Sequence, residues 1–273
     1  RAGINRVNAL VDITNVVMLE QGQPLHAFDA DALESLCGQP ITASDFGLRQ
    51  AREGEPFCGL DGRDLVLDPR VQVVTCCDRP VAIAGVMGSA ESGVTDQTRR
   101  IWLESALFTP ASVRSSSRAT GQRTDSSSRY EKGLPREITL LAAGRALSLL
   151  ESMLGAEIGD TWQCASDPSP APIVVLRRCA LHQLLGSLAP TSSESEAQDL
   201  EDAQVEACLS SLGCSLTPTD EGWDVIVPPS RRLDLLREVD LIEEVARLVG
   251  FDQFESRLPD PLRPGRLSLC QQA

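Results

Sequence analysis

Between Ala165 and Pro172 the chain reads Ala-Ser-Asp-Pro-Ser-Pro-Ala-Pro, with three prolines in its last five residues. Such a stretch can neither continue a helix nor pair within the interior of a sheet. It reads as a linker and divides the 273 residues into a larger first domain, 1–165, and a smaller second one, 173–256. A second loose stretch carries Pro259, Pro261, Pro264 and Gly265, so 257–273 reads as the start of a linker to a further domain. The chain opens on Arg1 without a methionine and without a charged-then-apolar leader. A piece cut from a longer protein is the expectation.

Hydrophobic periodicity predicts mixed elements in the first domain. Asn8 to Glu20 has helical spacing and stops at Gly22, and a longer helix is expected over Pro135 to Leu154, stopped by Gly155. Short β-rich runs lie at Leu65–Leu67, Val71–Thr75, Val81–Val86 and Ile101–Ala106. Thr109-Pro110 reads as a helix start, a capping hydroxyl followed by proline in the first turn. The second domain reads as a strand at Ile173–Leu176, short helices near Leu181–Leu185 and Asp202–Leu212, a strand at Trp223–Val227 and a last helix over Leu235 to Val249. On that helix Leu235, Val239, Ile242, Ala246 and Val249 are expected to form the apolar face. The fold class is therefore α+β: a mixed α/β domain followed by a small winged-helix-like domain.

The nine cysteines have no metal-type spacing; no CxxC occurs, and only His26 and His182 could assist them. They read as reduced thiols buried as small apolar groups, which suits a reducing cytosol. No apolar run reaches eighteen residues, so no membrane span is expected.

The formal net charge of −14 opposes a whole-surface grip on nucleic acid, but the charge is uneven. Arg99, Arg100, Arg114, Arg118, Arg123, Arg129, Lys132 and Arg136 crowd one segment of the first domain, whereas Glu194, Glu196, Asp199, Glu201, Asp202 and Glu206 form an acidic stretch in the second. A polyanion should approach the first half. From charge alone the arginines read first as solvated surface groups.

Four segments go beyond fold reading: Val11 to Asp29 (VDITNVVMLEQGQPLHAFD); Ala82 to Gly88 (AIAGVMG) with Ile101-Trp102-Leu103-Glu104-Ser105-Ala106; Thr124 to Gly133 (TDSSSRYEKG); and Pro229 to Asp234 (PSRRLD) continued through Arg237 to Arg247. In this order they resemble the beta subunit of bacterial-type phenylalanyl-tRNA synthetase, its B3/B4 editing domain followed by its B5 domain. The resemblance covers nearly the whole chain. The family's N-terminal RNA-binding module, catalytic-like core and C-terminal anticodon-binding module have no counterpart in it.

The resemblance implies removal of tyrosine from mischarged tRNA for phenylalanine. Tyrosine exceeds phenylalanine by one hydroxyl, which an apolar synthetic pocket rejects only weakly, whereas a second site can demand it. Glu104 matches the family residue that recognises that hydroxyl. From the residues alone, period-two alternation puts Trp102, Glu104 and Ala106 on one strand face, and Glu104 could equally face solvent or bond an arginine. Gly85, with Ala84, matches the backbone that lies against the tyrosine ring. His26, expected in a rigid turn after Gln23-Pro24-Leu25, matches a pocket histidine, with Thr14 and Asn15 nearby. Thr124 and Ser126 match the opposite wall, Ser126 standing where some relatives have alanine. His26, Glu104 and Thr124 are thus the catalytic candidates and Thr14, Asn15, Ala84, Gly85 and Ser126 the substrate-binding ones. No nucleophile–base–acid triad can be assembled, so a positioned water attacking the ester is expected, helped by backbone groups and the tRNA's terminal ribose hydroxyl.

In the second domain Asp240, Glu243 and Glu244 fall at i, i+3 and i+4 and should share a helix face opposite the apolar one, with Asp234 in the preceding turn. Helix-dipole stabilisation accounts for two of them without an ion. All four match magnesium-associated residues of the family, thought to be shared with the alpha subunit. The resemblance further implies an alpha-subunit partner in a two-alpha, two-beta cytoplasmic enzyme, tRNA for phenylalanine as partner, and ATP used at the alpha subunit's site. A non-catalytic scaffold, a free-standing editing protein and a DNA-binding winged helix are the competing readings. The acidic balance opposes the last, so no DNA is expected.

Overall fold

The computed structural model describes residue 3 and residues 6–164, 171–189 and 198–256. Most of the proline-rich linker, Glu194 and Glu196, and 257–273 lie outside the described residues. The chain separates into two compact units, 1–168 and 169–273. No helix among the described residues is long and apolar enough to cross a membrane.

The first unit opens with α1 (Ala9–Gln21). The Asn8 side chain accepts from the Val11 amide at 2.9 Å, and Gly22 closes the helix in a left-handed conformation with its amide on the Met18 carbonyl. β1 (His26–Asp29) then leads into α2 (Ala30–Cys37). β2 (Phe46–Gln50), β3 (Glu55–Cys58), β4 (Asp64–Leu67), β5 (Gln72–Cys76), β6 (Arg79–Ile83), β7 (Met87–Gly88) and β8 (Ile101–Glu104) follow. Three helices end the unit: α3 (Pro110–Thr120), α4 (Asp125–Tyr130) and α5 (Arg136–Leu154). The main sheet is antiparallel in the order β2-β5-β6-β7, with β3 and β4 forming a separate hairpin.

The position of the β1–β8 ribbon decides where a site can form. Alternation along β8 sends Ile101 and Leu103 against α1 and α5, where Ile13, Val17, Ala142, Ala146 and Leu150 are buried. Trp102 packs instead against the cluster of the main sheet, with Phe28, Val81, Ile83 and Val113. The ribbon thus lies between the helix pair and the sheet, and the face that carries Trp102 and Glu104 turns toward the sheet.

Two expectations need correction here. The run Val81–Val86 is not one strand: β6 ends at Ile83, and Ala84-Gly85-Val86 form a tight turn closed by the Val86 amide on the Ile83 carbonyl at 2.9 Å. Gly85 adopts φ +69° there, which a β-carbon disfavours. Likewise Thr109 precedes α3 with Pro110 in the first turn, but its side chain makes no capping bond.

The second unit comprises β9 (Ile173–Arg177), α6 (Arg178–Leu185), α7 (Asp202–Ser211), β10 (Ser215–Pro218), β11 (Gly222–Ile226) and α8 (Glu238–Val249), with an antiparallel sheet ordered β10-β11-β9. Trp223 is fully buried, donates from its indole nitrogen to Glu206 at 2.8 Å, and carries the Arg178 guanidinium 4.6 Å above its ring. The last helix starts three residues later than its pattern suggests. Asp240 folds back to accept from the Arg237 and Leu236 amides at 2.8 and 3.1 Å, so Leu235 to Arg237 belong to the turn before it. Its buried face is Leu241, Ile242, Val245 and Ala246, whereas Val239 is exposed; Leu235 is buried from the turn.

Candidate functional site

A small, solvent-open cleft of about 60 Å³ lies where the β1–β8 ribbon meets the β6–β7 turn. Its walls include His26, Glu104, Gly85, Ser126, Met87, Phe108 and Tyr130.

Register brings the two ionisable groups together. His26 and Glu104 are direct partners in the antiparallel β1–β8 pairing, so their side chains leave the ribbon on one face. His26 begins β1 and is not in a turn, and Glu104 ends β8 instead of lying mid-strand. Among the described residues neither forms an ion pair, and Glu104 has no hydrogen-bond partner. Burial pushes the Glu104 carboxyl up to about 7 and pulls the His26 imidazole down to about 4. The imidazole is therefore neutral near pH 7, and its buried Nε2 lacks a partner. Its ring stands edge-on to Phe28 at 4.5 Å, and the Gly88 backbone comes so close that a β-carbon there would meet Nε2 at 2.7 Å.

Gly85 makes the cleft floor possible. A β-carbon at this position would lie 3.0–3.1 Å from Phe108, Tyr130 and Val113. Its neighbour Ala84 is buried behind the turn, with its amide on the Gln72 carbonyl, and does not line the cleft.

Thr124 also stays out of the cleft lining. Its hydroxyl donates to the Val86 carbonyl at 2.9 Å and accepts from the Ser127 amide at 3.1 Å, so it caps α4 and ties that helix to the Gly85 turn. Thr14 donates to the Val11 carbonyl one turn back on α1, and neither it nor Asn15 borders the cleft. Of the eight first-domain candidates, four (His26, Glu104, Gly85 and Ser126) share one wall system.

Phe108 and Tyr130 line the cleft and Gln23 backs Tyr130 from behind it, and none of the three carried a role in the sequence reading. Gln23 is fully buried, and its amide nitrogen donates to the Ala106 carbonyl at 2.9 Å, the Pro24 carbonyl at 3.0 Å and the Tyr130 hydroxyl at 3.1 Å. Tyr130 stands edge-on to Phe108 at 5.2 Å. Burial, then the nearby Glu104 charge, holds its phenol well above the ordinary range. Gln23 and Tyr130 sit within segments that the sequence singles out, but a contact across 107 residues leaves no local signal.

The basic segment is partly neutralised. Arg129 bonds Asp125 and its carbonyl, Arg100 pairs with Asp31 and Glu34, and Arg114 donates to the Glu131 carbonyl. Arg118 and Arg123 are exposed and make no ion pair among the described residues. Arg70, Arg114 and Arg118 line a second cleft, larger than the first.

The four carboxylates proposed for magnesium are not gathered. Glu244 is buried rather than solvent-facing and is held between Arg231 at 2.9 Å and Arg247 at 2.5 Å. Asp234 pairs with Arg231, and Asp240 with Arg237 and the helix-start amides. Glu243 is exposed on the helix surface. Among the described residues no three of these ligand atoms lie within 4.8 Å of one another; Cys37, Cys76 and Cys77 form the one such group. Arginines already satisfy three of the carboxylates, so this set does not fit a magnesium ion by itself.

Comparison with known proteins separates the same two regions. Residues 1–155 match the B3/4 domain model and residues 174–251 the tRNA synthetase B5 domain model. A phenylalanine--tRNA ligase beta subunit from Parasynechococcus marenigrum is 65% identical over 273 residues, which is 100% of this chain and 33% of that protein. One from Prochlorococcus marinus is 60% identical over the same length, again covering 100% and 33%. The chain therefore spans about a third of the length of these relatives. An N-terminal fragment of the phenylalanyl-tRNA synthetase beta-subunit from Pyrococcus horikoshii aligns with a TM-score of 0.44 and 11% identity, covering 88% of this chain and 66% of that one.

Proposed function

The chain belongs to the phenylalanine–tRNA ligase beta-subunit family, and we propose that its first unit is an editing domain that hydrolyses tyrosyl-tRNA for phenylalanine. The observation that carries this reading is the Glu104 carboxyl, which lines the cleft without a hydrogen-bond partner. A tyrosine side chain in the cleft would bring a hydroxyl to that carboxyl. Phenylalanine would leave the carboxyl unpaired, at a cost of about 1–3 kcal/mol. With its carboxyl near 7, Glu104 can accept from the phenol as a carboxylate or donate to it when protonated. Gly85 and Phe108 supply the apolar walls for the ring.

Hydrolysis then requires a water beside the ester carbonyl. The water oxygen adds to that carbon, the ribose oxygen leaves, and the proton passes from water to the ribose oxygen. Neutral His26 borders the cleft, and in this reading its imidazole orients that water after a small ring movement frees the buried Nε2. Ser126 borders the cleft as a further polar contact. Thr124 acts by positioning, through α4 and the Gly85 turn. Arg118 and Arg123 offer unneutralised charge to the phosphates of the acceptor end.

The second unit, in this reading, supports assembly with the alpha subunit. Leu233, Leu236, Val239 and Phe251 expose apolar side chains around α8, as surface meant for a partner does. The complete cytoplasmic enzyme, with two alpha and two beta chains, attaches phenylalanine to its tRNA using ATP and magnesium at the alpha-subunit site.

The test is deacylation by a complete synthetase carrying this segment. The parent should clear tyrosyl-tRNA and spare phenylalanyl-tRNA, and Glu104→Ala should lose roughly 5- to 150-fold of that preference, the equivalent of about 1–3 kcal/mol. Equal inertness of parent and variant toward the tyrosyl ester would leave a scaffold as the function.

A further inference from the structure

Cys37 and Cys76 are 39 residues apart in sequence, yet their Sγ atoms lie 3.6 Å apart, and the Cys77 sulfur completes a triangle with every side within 4.8 Å. Each thiol is delivered by a different device. Cys37 is the last residue of α2 and Cys76 the last of β5. Cys77 occupies, with Asp78, the two-residue turn into β6, both at positive φ (48° and 64°). Such a turn ordinarily selects asparagine or glycine. Here the left-handed backbone belongs to a cysteine, whose sulfur lies within reach of the other two.

From this geometry we propose that Cys37, Cys76 and Cys77 form a three-thiolate site for a soft, closed-shell metal ion, with zinc or cadmium as the divalent class it takes. A thiolate bond of about 2.3 Å in tetrahedral geometry sets neighbouring sulfurs about 3.8 Å apart. The observed triangle brackets that spacing, so the ion is seated by small side-chain movements. Cys76 is buried whereas Cys37 and Cys77 keep some surface, which leaves an open side for water as the fourth ligand. Binding converts three thiols and one M²⁺ into a tris-thiolate of net charge −1 and releases three protons; no electrons move. The ion would clip the end of α2 to the β5–β6 turn. None of the three residues borders the Glu104 cleft, so the site stands apart from editing.

The main rival for such a cluster is a peroxide-sensing disulfide pair. Reactive sensor thiols are held at low pKa by nearby positive charge. Here burial raises the Cys37 and Cys76 thiols, and among the named charged neighbours is Asp45, which raises Cys37 further. Protonated thiols are poor nucleophiles toward peroxide, but a divalent cation supplies the positive charge that expels their protons.

The test uses the full, reduced chain. Cadmium is titrated while the ultraviolet thiolate charge-transfer band is followed, and zinc affinity is then taken from competition with a chromophoric chelator. One ion per chain is expected, bound at least tenfold more weakly by Cys37→Ser and by Cys77→Ser and equally well by Cys179→Ser, whose thiol is exposed. Cooperative melting of the metal-free variants checks their fold, and Cys77→Ser, in the turn, decides the matter should Cys37→Ser not fold. Failure to hold zinc against the chelator, or variants that bind as the parent does, overturns the site. So does a chain that takes no ion but forms a Cys37–Cys76 disulfide with hydrogen peroxide.

Discussion

His26 and Glu104 face one another across the β1–β8 ladder without bonding, and burial moves the two in opposite directions. The carboxyl rises from 4.5 to about 7, so the folded state holds its proton over a range where the unfolded chain has lost it. Stability from this group is intact below 4.5 and is lost as pH climbs to about 7. Glu104→Gln removes the ionisation. The variant should match the parent in acid and exceed it above pH 7, by at most about 3 kcal/mol, since the cleft admits some solvent. Urea unfolding across that range checks this, and a difference that does not change with pH would count against a buried carboxyl.

The same burial makes His26 a neutral group throughout the ordinary working range. Its imidazole falls from 6.5 to about 4, so charging it costs stability only as pH drops below 6.5. The deacylation rate should therefore lack an inflection near 6.5 and show one near 7 that Glu104→Gln abolishes. If His26→Ala instead removes an inflection near 6.5 from the profile, the histidine is more open than the cleft geometry indicates.

Gly85→Ala tests the floor of the cleft. The new β-carbon meets Phe108 and Tyr130 at 3.0 Å and Val113 at 3.1 Å from a backbone at φ +69°. Left-handed strain and overpacking each cost about 1–3 kcal/mol. We expect a loss of about 2–4 kcal/mol in unfolding free energy, with deacylation lost beyond what stability explains. A fully stable, fully active variant would mean the turn can flip to accept a side chain.

What was legible in the sequence was whatever depends on neighbours in the chain. The Gly22 and Gly155 stops and the alternation that pairs Trp102 with Glu104 are all local, and the four motif segments are contiguous. The Gln23–Tyr130 bond and the three-cysteine triangle depend on tertiary approach between distant residues, and adjacency of Cys76 to Cys77 hinted at nothing without Cys37. Helical phase failed at Glu244 for a related reason. Spacing places it with Asp240 and Glu243, but Arg231, 13 residues earlier, draws it into the core edge.

That arginine cage sets the last prediction. Arg247 first, then Arg231, hold the Glu244 carboxyl down to about 2. Its stabilising contribution is present above 4.5 and should fade as pH falls toward about 2. Removing it leaves Arg231 with Asp234 alone and deprives Arg247 of its carboxylate. Glu244→Ala should cost about 1–3 kcal/mol, because a charge-assisted network loses its central acceptor. Millimolar magnesium, by the same geometry, should not raise the melting temperature of the isolated chain, since three of the four carboxylates are held by arginines and the four are not gathered. A clear magnesium-dependent rise that Asp240→Asn and Glu243→Gln abolish would show that the side chains rearrange around the ion. Failure to find it in the chain, with its appearance once the alpha subunit is added, would place the missing ligands on the partner.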